Sequence, residues 1–119
     1  MNISLLSTHG ELASYDRWVK DHPHGTLWQS LEWKEYQEAL GRQARVYAAL
    51  EGARIAASAL VVIDRTSFGL STWDIPRGPL GDGAAARDLL EHLEGEARAS
   101  RCMSLFLSPS TPLPLRGRG

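Results

Sequence analysis

Hydrophobic positions along the chain switch between helical and strand spacing, and each switch marks an element. Ile3 to Leu6 is a short apolar run that predicts a first strand. Ser7 or Thr8 can cap a helix with Glu11 near its first turn, and Leu12, Tyr15, Trp18 and Val19 then share one face. Asp21-His22-Pro23-His24-Gly25 closes it, because Pro23 cannot continue a helix and Gly25 permits a sharp reversal. Thr26 to Gln29 reads as extended. Ser30 is a good N-cap for a second helix running to about Leu40 and closed by Gly41, with Trp33, Tyr36 and Leu40 as its apolar face.

The spacing then becomes strand-like. Arg45 to Leu50 and Arg54 to Ile63 flank the turn dipeptide Glu51-Gly52, which predicts a hairpin. Thr66 to Ile75 supplies a third strand, with Ser67 to Gly69 near the reversal. Asp82 precedes a helix from about Ala84 to Ala99, whose buried stripe is Ala86, Leu89, Leu90, Leu93 and Ala97. The charged set Arg87, Glu91, Glu94, Glu96 and Arg98 reads as its exposed face. Met103 to Leu107 is almost wholly apolar, as a strand covered on both faces would be. Residues 110–119 carry Pro112 and Pro114 without periodicity and read as an irregular tail. The order strand, two helices, three antiparallel strands, helix, strand predicts an α/β (α+β) sandwich, a mixed and mainly antiparallel sheet with flanking helices.

Composition narrows the class. A chain of 119 residues with 43% hydrophobic content suits one core. A formal charge of -1 argues against a protein that coats nucleic acid, though not against a local phosphate site. No stretch approaches the length of a membrane span. Met1-Asn2-Ile3-Ser4 lacks a basic leader, which points to the cytoplasm. The single cysteine, Cys102, reads as a small buried hydrophobe.

The densest chemical signal is Ser71-Thr72-Trp73-Asp74-Ile75-Pro76-Arg77-Gly78-Pro79-Leu80, where a strand meets a rigid turn and a helix follows. Two prolines fix φ around Arg77-Gly78, and Pro76 biases Ile75 to extended geometry. A guanidinium beside a helix start can hold a carboxylate or phosphate through its planar fork and nearby N–H groups. The plainer reading, a well-made turn with a solvated arginine, stands beside it.

Three segments together resemble one family. Gly25-Thr26-Leu27-Trp28-Gln29-Ser30-Leu31-Glu32-Trp33 resembles the "LQS-x-x-W" start of FemABX-type aminoacyltransferases. Ile75 to Leu80 is similar to their "PRGP" turn, and Arg101 to Pro109 to their strand ending in an acid and proline, with Ser108 in place of the acid. The element order is also that of the first five strands of the GNAT acyltransferase fold. The resemblance implies that residues 1–109 form the first of two GNAT-like subdomains, with the chain ending before the second.

It further implies transfer of an amino acid from aminoacyl-tRNA to the stem peptide of a peptidoglycan precursor, lipid-linked or nucleotide-linked, in interpeptide bridge synthesis. No metal or coenzyme is expected, aminoacyl-tRNA being the co-substrate. The tRNA contact would belong to the second half. The setting is cytoplasmic, with a peripheral place at the inner membrane face and no stable insertion. By the same resemblance Arg77, with Gly78, would hold an anionic part of the precursor. Trp33 matches the family tryptophan, read either as a core anchor or as a contact. Gln29 and Ser30 either position the second helix or line the groove. Gln37 falls where family members often place a lysine, with Lys34 nearby on another face. No residue stands out as catalytic; positioning an amine against an activated ester needs no nucleophile.

Two other readings carry different chemistry. A CoA-dependent GNAT N-acetyltransferase shares the fold order, and Arg77-Gly78-Pro79-Leu80-Gly81-Asp82-Gly83 sits where its pyrophosphate loop would be. That stretch is one residue too long, Pro79 has no N–H to donate, and Asp82 would repel a pyrophosphate. A non-catalytic, truncated binding module is the third reading. His9, His22 and His24 lack a convergent ligand pattern and read as solvated loop residues.

Overall fold

The computed structural model describes residues 2–23, 25–52, 54–65, 71–77, 79–81, 83–99 and 102–109, with 76, 77 and 102–109 described by backbone alone. The elements are β1 (Asn2–Leu6), α1 (His9–Asp21), a 3-10 turn (Leu27–Gln29), α2 (Leu31–Ala39), β2 (Gln43–Glu51), β3 (Arg54–Arg65), β4 (Ser71–Arg77), β5 (Leu80–Gly81), α3 (Gly83–Ala99) and β6 (Cys102–Pro109). The strands form one sheet in the order β1-β2-β3-β4-β6, with β5 paired to β3. All pairings are antiparallel except β4 with β6.

Each element follows from local chemistry. Thr8 caps α1: its hydroxyl accepts from Glu11 N at 3.2 Å, while Glu11 Oε1 accepts from Thr8 N at 3.1 Å. Gly52, at φ 65°, makes the reversal between β2 and β3. β3 is central and buried along most of its length, hence its apolar run on both faces. Ala56 is an extra residue in the β2–β3 ladder, since Ala49 faces Ala57 while Leu50 faces Ile55.

The sheet divides the molecule into two cores. On one face α3 buries Ala85, Leu89, Leu93 and Ala97 against Tyr47, Ala57, Ala59, Val61, Ile63, Trp73 and Ile75. Alanines on both helix and strand let α3 lie close. On the other face Tyr15 and Val19 of α1, with Leu31 and Trp33 of α2, cover Ala44, Val46, Ala48, Leu60 and Leu80.

Several expectations need correction. Thr26–Gln29 is not extended: Gln29 Oε1 accepts from Thr26 N at 2.9 Å and closes a 3-10 turn whose last two residues are Trp28 and Gln29. On α2, Tyr36 and Leu40 are 53% and 52% exposed, so the packed side is Leu31, Trp33 and Gln37 instead. β4 runs beyond Ile75 through Pro76 to Arg77. On α3 Ala85 is buried as Ala97 is, while Ala86 and Leu90 are only partly buried against the core. β5 is a short strand that the spacing does not predict, and the other elements fall close to where the spacing puts them. The reversal at Ser67 to Gly69, His24, Asp82, the Cys102 side chain and the 110–119 tail lie outside the described residues. No described helix is long and apolar enough to cross a membrane.

Candidate functional site

The two sequence segments singled out for chemistry approach one another, because the 3-10 turn lies against β4. The turn is held from beneath. The buried Tyr15 hydroxyl donates to the Gln29 carbonyl, and Gln29 Oε1 also accepts from Thr26 Oγ1 at 3.2 Å. Burial pushes the Tyr15 phenol far above its usual range, so it stays a donor. Gly25 is required here, since a Cβ would lie 2.0 Å from the Val19 carbonyl oxygen. Ser30 then starts α2. Its hydroxyl donates to the Leu27 carbonyl at 2.7 Å and accepts from Trp33 N at 3.2 Å. Asp16 Oδ1 of α1 accepts from Leu31 N at 3.0 Å, taking a further N–H of the helix start.

Above this support sits an aromatic group. Trp28 meets Trp33 edge-on with centroids 4.5 Å apart, and Trp33 lies 5.2 Å from Tyr36. Trp33 Nε1 is buried without an acceptor. A concavity of about 380 Å³ opens beside the turn, lined by Val19, Lys20, Gly25, Thr26, Leu27, Ser30 and Glu32. Its charges are internally matched: Lys20 Nζ lies 2.9 Å from Asp16 and 3.1 Å from Glu32. Hydrogen bonds from its own backbone N–H and from Lys20 hold the Glu32 carboxyl below the usual range.

β4 parts from β3 at this level. Pairing runs from Arg65–Ser71 to Val62–Asp74, stops, and resumes at Ser58–Leu80. Ala59 to Val61 of β3 thus have no ladder partner among the described residues of this stretch, where Pro76 and Pro79 have no N–H to donate. Gly81 closes the opening. At φ 132° its Cβ position would lie 2.3 Å from the Ala56 carbonyl oxygen, so only glycine lets the main chains meet. Meanwhile β4 continues alongside β6, with Ile75 opposite Leu107 and Arg77 opposite Pro109. Asp74 is the last β4 residue paired to β3. It faces away from α3, since its neighbours Trp73 and Ile75 belong to the α3 core. It is half-buried, and burial pushes its carboxyl above the usual range.

The residues expected to carry function therefore separate. Gln29 and Trp33 sit together at the turn and the start of α2. Gln37 lies further along α2 on its buried side, where its Oε1 accepts from Arg42 Nη1 at 2.9 Å. Arg77 ends β4, its side chain outside the described residues, as is all of Gly78. The sequence reading did not single out Tyr15, Asp16 or Asp74. Helical spacing marks Tyr15 only as part of an apolar face and does not mark Asp16, whereas an aspartate inside a predicted strand is itself an anomaly.

The profile of the FemAB family matches residues 11–117, nearly the whole chain. This chain belongs to the FemAB family. Its fold is similar to the crystal structure of FemX, with a TM-score of 0.72 and 24% identity over 86% of this chain. The chain spans 25% of the FemX chain. A probable acetyltransferase matches with a TM-score of 0.64 and 18% identity, over 96% of this chain and 81% of that one. An acetyltransferase of Trypanosoma brucei matches with a TM-score of 0.60 and 15% identity, over 90% and 81%. The fold is thus the GNAT-like mixed sheet expected. No curated protein sequence matches the chain.

Proposed function

We propose that this FemAB chain is the precursor-holding, first GNAT-like subdomain, residues 1–109, of an aminoacyltransferase of peptidoglycan bridge synthesis. The enzyme passes an amino acid from aminoacyl-tRNA to an amine on the stem peptide of a lipid-linked or nucleotide-linked precursor. The observation that carries this is a single family match that embraces both the turn at Gly25–Trp33 and the segment Ile75–Leu80. The apposition of the 3-10 turn and β4 supports it. Arg77, at the turn with Gly78, holds an anionic part of the precursor, and Trp33 and Gln29 border the same groove. Gln37 contributes its amide N–H groups, its oxygen being taken by Arg42. Neither metal nor coenzyme takes part. The tRNA is met by a second half. The charged tRNA sets the work in the cytoplasm, at the inner membrane face when the precursor is lipid-linked.

The test is transfer of radiolabelled amino acid from charged tRNA to precursor by this chain with the second half of a FemAB relative supplied. Label in the precursor supports the reading; binding of precursor without transfer in any pairing leaves only a binding module. For Arg77→Ala, precursor affinity should fall about 10- to 100-fold, the cost of a charge-assisted hydrogen bond. An affinity within twofold would reduce the arginine to a turn residue.

One observation favours a CoA-dependent acetyltransferase instead: the probable acetyltransferase above is covered over 81% of its length. Against it, Pro79 offers no N–H to a pyrophosphate, and Leu80 and Gly81 are committed to a ladder with β3. Micromolar binding of acetyl-CoA to the chain would decide for that reading.

A further inference from the structure

Asp74 is a carboxylate in the middle of a β-strand, a position that disfavours aspartate and that nothing in the fold requires. Among the described residues it has neither hydrogen bond nor ion pair, although it is half-buried and desolvated. On its face of the sheet, Leu60 and Val62 of β3 are apolar, and the 3-10 turn that lies against β4 contributes Leu27, Trp28 and Gln29, none of them charged. On that face of the sheet β3 also carries Asp64, opposite Thr72, with Arg42 at 4.0 Å from it. Asp74 also stands where the sheet begins to open, three residues before Arg77. A structural carboxylate would be paired; one left half-exposed beside an opening costs stability and is available to a ligand.

Resting on the aminoacyltransferase reading, we infer that Asp74 is the general base of the transfer, accepting the proton from the attacking stem-peptide amine. The amine reaches the site neutral, having lost one proton to solvent as an ammonium. As its nitrogen attacks the aminoacyl ester carbonyl, a C–N bond forms and the ester C–O bond to the tRNA ribose breaks. The proton shed by nitrogen passes to the Asp74 carboxylate and then to the leaving ribose oxygen, so the carboxylate is regenerated. Desolvation makes it a stronger base than an exposed carboxylate, which suits it to this exchange.

The experiment compares the chain with Asp74→Asn and Asp74→Glu in the reconstituted transfer assay, with melting temperature alongside. Asp74→Asn should lower kcat about 100-fold or more with KM for precursor within about twofold, and abolish the acidic limb of the kcat–pH profile. Asp74→Glu should recover part of kcat. Because no partner is lost, Asp74→Asn should melt at the same temperature or higher. A kcat within threefold of the parent, or a melting temperature lowered by several degrees, overturns the assignment and leaves the aminoacyltransferase reading standing. If the parent transfers nothing from any charged tRNA, that reading fails instead. Asp74 is then judged by the carboxyl carbon resonance on adding an amine-bearing muropeptide: a shift supports it as the amine's partner, and an unmoved signal overturns it.

Discussion

The two faces of the sheet are built from different chemistry. Beneath α3 the contacts are Leu89, Leu93, Ile63, Val61 and Ile75 against one another, with alanines where backbones must approach. Beneath α1 and α2, four of the five described buried polar residues, Gln29, Ser30, Gln37 and Ser58, are interleaved with the apolar ones. There the side chains bond to backbone at a distance in sequence, as Tyr15 does to Gln29 and Asp16 to Leu31. One face is held by area removed from water and tolerates no cavity. The other is held by directed bonds that fix a turn and a helix start, and leaves Trp28, Trp33, Tyr36 and Asp74 partly open. Stability concentrates on the first face and chemistry on the second.

That contrast predicts unequal responses. Leu89→Ala removes a fully buried side chain from the α3 core and should destabilise by about 2–5 kcal/mol. Measured by urea unfolding, the loss should come with unchanged precursor affinity in whatever fraction remains folded. A loss under about 1 kcal/mol would mean that α3 is not the face that holds the molecule together.

Tyr15→Phe probes the second face with almost no change of volume. It takes away the hydroxyl that satisfies the Gln29 carbonyl and leaves that oxygen buried, which costs about 1–3 kcal/mol. Unlike Leu89→Ala, it should also weaken precursor binding more than the stability loss explains, because the 3-10 turn is no longer pinned against β4. Equal binding by the folded Tyr15→Phe protein would break the distinction between the faces.

The same contrast explains what the sequence could reveal. Features fixed by near neighbours are legible: Thr8 with Glu11, Ser30 with Trp33, Gly52 between two apolar runs, the Leu89–Leu93–Ala97 stripe. The α3 face is therefore almost fully readable from spacing. The α2 face is not. Trp33, Tyr36 and Leu40 share a helical stripe, yet the helix turns Gln37 inward because its amide finds Arg42 beyond the helix end. A polar residue paired at a distance leaves no periodic trace. Thr26–Gln29 has strand-like residues, but one side-chain amide folding back on Thr26 is enough to curl it. The candidate site was legible as motifs, at Gly25–Trp33 and Ile75–Leu80. Asp74 was not, because its meaning comes from a sheet that opens beside it, and pairing register is invisible along a single strand.

The smallest effect expected lies at the start of α1, remote from the site and fully exposed. Thr8→Ala removes one half of the capping box and should cost about 1 kcal/mol without altering precursor binding. The other half is sensitive to pH. Hydrogen bonds from the backbone N–H groups of Ser7 and Thr8 lower the Glu11 carboxyl below its ordinary value. A carboxyl depressed in the folded state stabilises fully above its unfolded pKa and loses that contribution as pH falls through the folded one. Glu11→Gln should therefore lower the melting temperature slightly at neutral pH and not at all once pH is well below the carboxylate range. Since α1 carries both Tyr15 and Asp16, fraying at its first turn tests how far support for the site reaches. If precursor affinity follows the Glu11 titration in the parent chain, the helix start is coupled to the 3-10 turn. If it does not, Tyr15 and Asp16 alone define where that support begins.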